Sequence, residues 1–588
     1  MAFLCSLALG REGDQPEIQA GSLPVHFMIP STRRGIVFLQ LGLIVMAGLI
    51  VYAPALHGSW LWDDPQYVTA NPLLHDPARL EKAWFVPGST MEFYPLQETV
   101  IALQWWLWGA QPLGYHLTNL ALHLVSALLL WRLFAQLGLR FAWLGGLLFV
   151  VHPLNVESVA WISELKNTLS LPPFLLAMIA LVRYVDDRRR NDYFLALGFF
   201  TMAMLGKISM APFPFVILLY LWWRRGRLGR NDYLLALPFL LVAVALSALT
   251  VWAYTRFGQL HPDHPFVPEI GGPAVRLALA VTTVSFYFAR FFWPWEPMPM
   301  YPQWPTAPGL AFLLFLAWAG LLAWFWKERK SWGRPALLGL GFFLLMIAPF
   351  CGLVTQSYMY FTWVLDHLLY IPMIGLMGLG LAVLGKLSVG LPGPARVTEV
   401  GVLAVVVVLL AWQSRVYAGV WTDGGQLWSY AVQKNPGAWL AHYNLGNDFR
   451  RQGRIADAVG EYRTAIHLHP SFDWSHNNLG LCLATLPGGQ EEAASEFREA
   501  LRLRPQFPEA HANLANVQAA GGNLIGAIAE YEAALAEEPD LVVARYDLAL
   551  ALANAGRLEE AASQLRELLR RKPGYAPAKD LLARLPVH

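Results

Sequence analysis

Residues 35–56 read GIVFLQLGLIVMAGLIVYAPAL, twenty-two positions in which Gln40 and Tyr52 carry the only polar side-chain atoms. A run of this length satisfies its backbone in a hydrocarbon layer ~30 Å thick only by closing its hydrogen bonds as a helix. Working outward, similar runs recur at 117–137, 234–254 and 309–326. Of the 588 residues, 56% are apolar and 14% are charged, so a polytopic membrane protein is the expected class. Charge is concentrated at the end of the chain. Of 43 basic and 41 acidic residues, 15 and 19 fall within 436–588. Neither part has the dense basic surface that nucleic acid requires, which removes nucleic acid as a partner. Cys5, Cys351 and Cys482 are too few and too scattered for a disulfide framework or a thiolate metal site. The first residues carry Arg11, Glu12, Asp14 and Glu17 where a signal peptide would have its apolar core. Residues 1–32 are therefore expected to form a disordered polar tail, with Met28 as an alternative start.

Basic residues in short loops mark the cytoplasmic side. The markers are Arg33/Arg34, Arg132/Arg140, Arg183 with Arg188 to Arg190, Arg224 to Arg230, Lys327 to Arg334, and Lys386/Arg396. Two helices between successive markers give five hairpins. A last helix near 397–414 brings the expected total to about eleven spans. This scheme makes Arg256 to Pro305 a long outer loop with re-entrant pieces and puts the polar tail outside. Lys166, Lys207, Arg256 and Arg290 then lie on the outer face against the usual charge bias, where they are candidates to hold a phosphate.

The polar tail is periodic. Pro436, Pro470, Pro505, Pro539 and Pro573 are 34, 35, 34 and 34 residues apart, which is the tetratricopeptide period. Leu445, Gly446, Ala458, Tyr462 and Ala465 recur as Leu479, Gly480, Ala493, Phe497 and Ala500, then as Leu514, Ala515, Ala527, Tyr531 and Ala534. A fourth unit, with Leu548, Ala549, Ala561, Leu565 and Leu568, has drifted furthest. The extra residue of the second unit falls at Pro487-Gly488-Gly489. The expected fold is thus all-α: a membrane helix bundle at 33–430, then an α-solenoid of four repeats at 431–588 with a concave groove. Spacing alone names no partner for that groove.

Three polar motifs belong to the outer face. Asp63-Asp64 follows the first span; paired acids there can serve as general base and as ligand for substrate or metal, although Asp-Asp-Pro is also ordinary turn chemistry. The stretch His152 to Lys166 packs His152, Glu157, Ser163, Glu164 and Lys166 into fifteen residues, and helical spacing would bring Glu157, Ser163 and Glu164 near one face. Asp366-His367 with Tyr370 opens a later helix, where Asp366 could simply favour the helix N-terminus. No His or Cys spacing suits zinc, and paired carboxylates allow a divalent cation without demanding one.

Trp62-Asp63-Asp64, Tyr94-Pro95-Leu96, Gly114 to Asn119 with His116, His152 to Lys166, Phe292-Trp293-Pro294 with Tyr301-Pro302, and Asp366-His367 with Tyr370 are followed by the repeats. Together they resemble the transmembrane-and-tetratricopeptide-repeat proteins and their bacterial relatives, over about residues 35–588. That resemblance implies a GT-C glycosyltransferase body acting as a protein O-mannosyltransferase, with a polyprenyl-phosphate sugar donor and a Ser or Thr acceptor. It implies the base role for Asp63 and Asp64. It implies substrate contacts for Tyr94, His116, Asn119, His152, Glu157, Glu164, Lys166, Lys207, Arg290, Asp366, His367 and Tyr370. It also implies a bacterial inner membrane, with acceptor proteins docking on the repeats at the periplasmic side. Phe93 before Tyr94, and His367, stand where many relatives carry Arg. Two alternatives remain open: a non-enzymatic scaffold for envelope complexes, and a polymerase or ligase of lipid-linked polysaccharide.

Overall fold

The computed structural model describes residues 31–90, 92–260, 268 and 270–586; the expected polar tail lies outside them except for its last two positions. The chain divides into a short unit ending at Leu43, whose described part begins the helix Ser31–Tyr52, and a unit from Ile44 to His588 that holds all contacts discussed below. Helices and turns make up the described residues, with no strand among them.

Eight helices are long and apolar enough to cross a membrane: those covering Gly35–Tyr52, Pro112–Gln136, Ile162–Asp187, Arg230–Gly258, Pro273–Phe292, Pro308–Lys327, Gly333–Phe350 and Gly393–Val420. A ninth arises if Ala142–Val151 and Pro153–Ala160, bent by 62°, are taken as one broken span. The expected count of about eleven is therefore met by fewer full-length helices. Arg190–Gly206, Phe213–Arg225 and Met373–Leu387 have 17, 13 and 15 residues, each ended early by a polar or Gly/Pro break. The expected outer loop at 256–305 is also corrected: Pro273–Phe292 is itself a candidate span. Its hydrophobic face was hidden in the sequence by Arg276, Arg290 and a run of Thr and Ser. The chain is a multi-pass membrane protein.

The helix Leu165–Asp187 lies at the centre of the bundle, with Phe174, Leu175 and Ala177 fully enclosed, whereas Gly393–Val420 and Pro308–Lys327 present most of their surface outward. The close approach of Arg190–Gly206 to the central helix depends on Gly206, where a Cβ would fall 2.4 Å from the Ser170 hydroxyl oxygen. That contact delivers the next residue, Lys207, to the polar end of the central helix.

The repeats are four helix pairs: Trp439–Arg451 with Ile455–Leu468, Asp473–Ala484 with Gln490–Leu503, Pro508–Ala520 with Leu524–Glu537, and Val542–Asn554 with Leu558–Arg571. Gly424–Lys434 precedes them and Ala576–Arg584 closes the stack. The small positions read from the sequence sit where the paired helices touch. A Cβ at Gly446 would meet Tyr462 at 2.8 Å, and one at Gly480 would meet Phe497 at 2.7 Å.

A repeated clamp joins each pair. His442, His476 and His511 place Nε2 at 3.1, 3.0 and 3.1 Å from the carbonyl oxygens of Pro436, Pro470 and Pro505. Their Nδ1 atoms lie 2.6, 2.7 and 2.6 Å from carboxylate oxygens of Glu461, Glu496 and Glu530. Carbonyl and carboxylate oxygens only accept, so both contacts are hydrogen bonds only when the imidazole carries two protons. The fourth repeat substitutes a permanent double donor: Arg545 gives 2.8 Å bonds to the Pro539 carbonyl and to Gln564. Burial pulls His476 down, but Glu496 and the Pro470 carbonyl more than offset it, and Glu499 adds to the field; Glu530 raises His511, with Glu537 facing the same ring.

Both histidines thus titrate above the free-histidine value of about 6.5, and their clamps are complete below it and lost as pH rises through the raised values. Protection of the amides in helices 473–484 and 508–520 is expected to fall between pH 6 and pH 9, measured by hydrogen exchange corrected for the intrinsic pH dependence. Each clamp should account for roughly 1 kcal/mol. A His476→Arg/His511→Arg chain with Glu496→Gln and Glu530→Gln should flatten the dependence, and an unchanged slope there would sink the assignment.

Candidate active site

The acidic pair sits on a short loop held in an unusual conformation. Beyond Tyr52 the chain makes a 3-10 turn at Ala55–His57, and Trp62 then adopts φ +48°, a left-handed geometry that is strained for a bulky residue. Packing maintains it: the Trp62 ring stacks on Trp161 at 4.8 Å, meets Trp428 edge-on at 4.9 Å and lies 5.8 Å from Phe361. Trp161 in turn stacks on Trp421 at 5.7 Å.

The two acids that follow have different surroundings. Asp64 is fully buried and already occupied: its Oδ2 accepts from Leu61 N at 2.9 Å, and its Oδ1 accepts from Ser163 N at 2.8 Å and from the Ser163 hydroxyl. It ties the loop to the second motif. Asp63 has a buried Oδ1 with no hydrogen-bond partner among the described residues. Burial, followed by the Asp63 charge, pushes the Asp64 carboxyl up to about 8 against its hydrogen bonds to Ser163 and Leu61. Burial pushes Asp63 up to about 6, with Lys166 and the Ser163 hydroxyl pulling the other way. Adjacent carboxyls resist joint ionisation, and the one facing Lys166 ionises first.

The second motif folds as short turns, Pro153–Asn155, Val156–Ala160 and Ile162–Glu164, before the central helix starts at Leu165. From Val151 to Leu165 every residue is buried. Burying so many ionisable groups requires that they pair. Glu164 serves as the hub: its carboxylate lies 3.8 Å from Lys166 Nζ, 3.7 Å from Lys207 Nζ and 3.7 Å from His367 Nε2. It also accepts from Asn167 Nδ2, whose Oδ1 receives a 2.8 Å bond from Lys207 Nζ. Glu157 accepts from His367 Nδ1 at 2.9 Å and from the His367 amide at 3.2 Å. Lys166 reaches outward to Glu92 at 3.2 Å and lies 5.8 Å over the Tyr67 ring. Beside this chain, a cavity of about 10 Å³ opens between Asn167, Lys207, Ser209 and His367.

The structure therefore brings Asp63, Asp64, Glu157, Glu164, Lys166, Lys207 and His367 together. Tyr94 joins their edge, buried at the start of the helix Pro95–Trp108. The other residues expected to touch substrate have the following surroundings. Asn119 donates to the Trp161 carbonyl at 3.0 Å and accepts from Thr168 at 3.0 Å, fixing the second motif from behind. His152 accepts from Leu154 N at 3.3 Å and faces the Phe291 carbonyl at 3.2 Å, with its ring stacked on Phe291. His116 is enclosed against Gly58, where a Cβ would fall 2.8 Å from its Nε2. Tyr370 bonds to His123 at 2.8 Å beneath the site. Arg290 has both terminal nitrogens engaged, while its Nε has no partner among the described residues. It donates to the carbonyls of Trp295 and Glu296 at 2.6 and 2.9 Å and to the Tyr301 hydroxyl at 2.7 Å, and Tyr301 donates to Asp366 at 2.8 Å.

Two members of the network, Glu92 and Asn167, were not singled out from the sequence. Glu92 stands two residues before Tyr94-Pro95-Leu96 and Asn167 directly follows Lys166, so adjacency to the motifs was the available signal. Among the described residues no group of three or more His, Cys, Asp or Glu side chains could hold a metal ion.

Residues 95–254, which hold Glu157, Glu164, Lys166 and Lys207, match the family model of dolichyl-phosphate-mannose-protein mannosyltransferases. Tetratricopeptide-repeat models match 413–471, 443–487, 488–542 and 519–585. The chain is 26% identical to the human protein O-mannosyl-transferase TMTC1, over 77% of this chain and 58% of that protein. Identity to the mouse TMTC1 is 24%, over 74% and 59%. To the Caenorhabditis elegans protein O-mannosyl-transferase F38B6.6 it is 24%, over 73% and 63%. The chain thus spans about three fifths of the length of these curated relatives. Among solved structures, the crystal structure of MamA aligns with 26% of this chain and 88% of its own, at 19% identity and a TM-score of 0.25. The resemblance carried by the motifs is found again as a mannosyltransferase-family segment, tetratricopeptide repeats after it, and similarity to named protein O-mannosyl-transferases across about three quarters of the chain.

Proposed function

We propose that this chain is a membrane glycosyltransferase that moves a hexose from a polyprenyl-phosphate donor to a Ser or Thr hydroxyl of proteins on the outer, periplasmic face of a bacterial inner membrane. The observation that carries the reading is the unpartnered Asp63 Oδ1, buried beside a chain of cations that begins at Lys166. In the transfer, the acceptor oxygen forms a bond to the anomeric carbon as the bond from that carbon to the phosphate oxygen breaks. The hydroxyl proton passes to Asp63, and the lipid phosphate departs with the bonding pair. A carboxyl pushed up to about 6 is mostly ionised at neutral pH yet basic enough to take that proton. The phosphate gains negative charge as it leaves, and Lys166 and Lys207 can share their charge between it and Glu164. Asp64, engaged by Leu61 and Ser163, holds the loop in place and is not the group that receives the acceptor's proton. The repeats present the acceptor segment.

In a transfer assay with polyprenyl-phosphate mannose and a Ser-containing protein acceptor, Asp63→Asn is expected to lower kcat by 10²–10⁴ without changing Tm. Asp64→Ala should instead lower Tm, because the amides of Leu61 and Ser163 lose a buried acceptor at about 1–3 kcal/mol each. The wild-type kcat should rise with pH, half-maximal near 6, and level off above 7. A profile flat from pH 5 to 8 would remove Asp63 from the base role.

Lys166→Gln and Lys207→Gln should each lower kcat/KM for the lipid donor by about 10²-fold. The KM for the acceptor should stay within a factor of two. Equal losses toward both substrates would indicate collapse of the Glu164 hub and would not support phosphate binding.

A further inference from the structure

Three carboxylates pair with Lys166, Lys207 and His367 among the described residues, and Glu92 is the one that meets water. Its side chain is 26% exposed, against 2% for Glu164 and none for Glu157. Glu92 Oε2 lies 3.2 Å from Lys166 Nζ and 3.5 Å from the Tyr67 hydroxyl. The backbone behind it is fixed, because the Glu92 carbonyl accepts from the Thr90 hydroxyl at 2.8 Å and from Tyr94 N at 3.0 Å. Four residues earlier Gly88 has φ +88°, and a Cβ there would fall 2.8 Å from Cγ of Arg256, so the loop is seated on the helix Arg230–Leu260.

With its backbone held and its carboxylate at the rim, Glu92 leaves Lys166 by rotation of its own side chain, a fast motion for a group that borders water. Glu164 and Glu157 are enclosed among their partners and have no such exit. Charge then limits what can replace Glu92. Lys166 and Lys207 bring two positive charges, and Glu92 and Glu164 answer them with two negative ones at 3.2, 3.8 and 3.7 Å. Asp63 and Glu98 lie within reach of the Glu92 charge as well. An anion that joined Lys166 while Glu92 stayed would add negative charge where screening is poor. A monoanion that sends Glu92 into water leaves the sum unchanged. A dianion leaves one charge uncompensated even after Glu92 has gone.

We infer that Glu92 is an exchangeable counter-ion that restricts the donor site to a headgroup with a single negative charge. The phosphodiester of a lipid-phosphate sugar has one ionised oxygen and takes the place of the Glu92 carboxylate on Lys166. The diphosphate of a lipid-diphosphate sugar has two and is turned away by the acids that remain, a selectivity built from repulsion. Glu92 is thus a specificity residue that acts through Lys166 and takes no part in bond making. Transfer leaves a lipid phosphate with a second ionisable oxygen, so the same rule favours its departure and the return of Glu92. The inference rests on the donor reading given above.

The test measures Kd for the full chain in phosphatidylcholine nanodiscs, without acceptor, using farnesyl-phosphate mannose and farnesyl-diphosphate mannose. The two probes share lipid and sugar and differ by one phosphate. The wild type is expected to bind the monophosphate about tenfold more tightly than the diphosphate. Glu92→Gln, nearly the same shape without the charge, should tighten both and favour the diphosphate by about tenfold more than the monophosphate, which abolishes the preference. Glu92→Asp keeps the charge and should keep most of the preference. Tyr67→Phe removes the hydroxyl that steadies Glu92 and should tighten the monophosphate by about twofold, and it decides the matter should Glu92→Gln not fold. A wild type with no preference for the monophosphate, an unchanged preference in Glu92→Gln, or weaker monophosphate binding by that variant would overturn the role given to Glu92 and leave the donor reading standing. A wild type that binds neither lipid would remove the donor reading, and this inference with it.

Discussion

The polar centre of this membrane protein depends on one buried carboxylate, Glu164, being shared among Lys166, Lys207 and His367. None of these groups is stable alone at this depth, since an unpaired charge moved from water into protein loses several kcal/mol of solvation. The pairing explains several local features. The central helix starts at Leu165, just beyond the hub, so that Lys166 and Asn167 leave its first turn toward Glu92 and Lys207. At Gly206 the bare Cα lets the chain pass the Ser170 hydroxyl and carry Lys207 to the hub, where a Cβ would have to displace that hydroxyl. Glu157 takes both the amide and the ring of His367, which fixes the imidazole so that its other nitrogen faces Glu164.

The network has more acids than lysines: Asp63, Asp64, Glu92, Glu157 and Glu164 surround Lys166 and Lys207. That imbalance bears on how an anionic substrate could be received. A phosphate would compete with carboxylates already present. Lys166 is the cation best placed to exchange partners, being bound to Glu92, whose side chain is 26% exposed, on one side and to the hub at 3.8 Å on the other. Lys207, held at 2.8 Å by Asn167 in a nearly closed pocket, is positioned more rigidly. A division into one mobile and one fixed cation suits a leaving group that must be gripped as its charge grows and then released.

Much of this was legible in the sequence because it rests on local order. The repeats repeat, the spans are apolar runs, and Glu157, Ser163, Glu164 and Lys166 lie within ten residues, so their meeting needed only a compact turn. What was not legible depends on long-range partners. Nothing near Arg290 in the sequence shows that its two terminal nitrogens bond to two carbonyls and Tyr301. Asn119 entered through the family resemblance and His152 through the motif it opens; their partners, Trp161, Thr168 and Phe291, are distant in sequence or backbone atoms, so their bonds could not be read there. Asp63 and Asp64 are adjacent and chemically identical. Only the three donors converging on Asp64 separate the anchor from the free carboxylate.

The same long-range packing links the repeats to the acids. Trp62 is held in its strained conformation by Trp161 on one face and by Trp428 on an edge, and Trp428 belongs to the helix Gly424–Lys434 that leads into the solenoid. The core continues past it: Ala438, Ala441 and Leu445 of the first repeat belong to the same buried cluster as Trp62's neighbours Trp161 and Trp428. Further contact comes from Tyr360, whose ring packs against Trp439 and His469. A flexible tether would let a docked segment wander and would leave Trp62 free to relax out of its left-handed geometry. The continuous core does neither, so the first repeat is a fixed extension of the body and the conformation of the Asp63 loop is partly a property of the solenoid's leading helix.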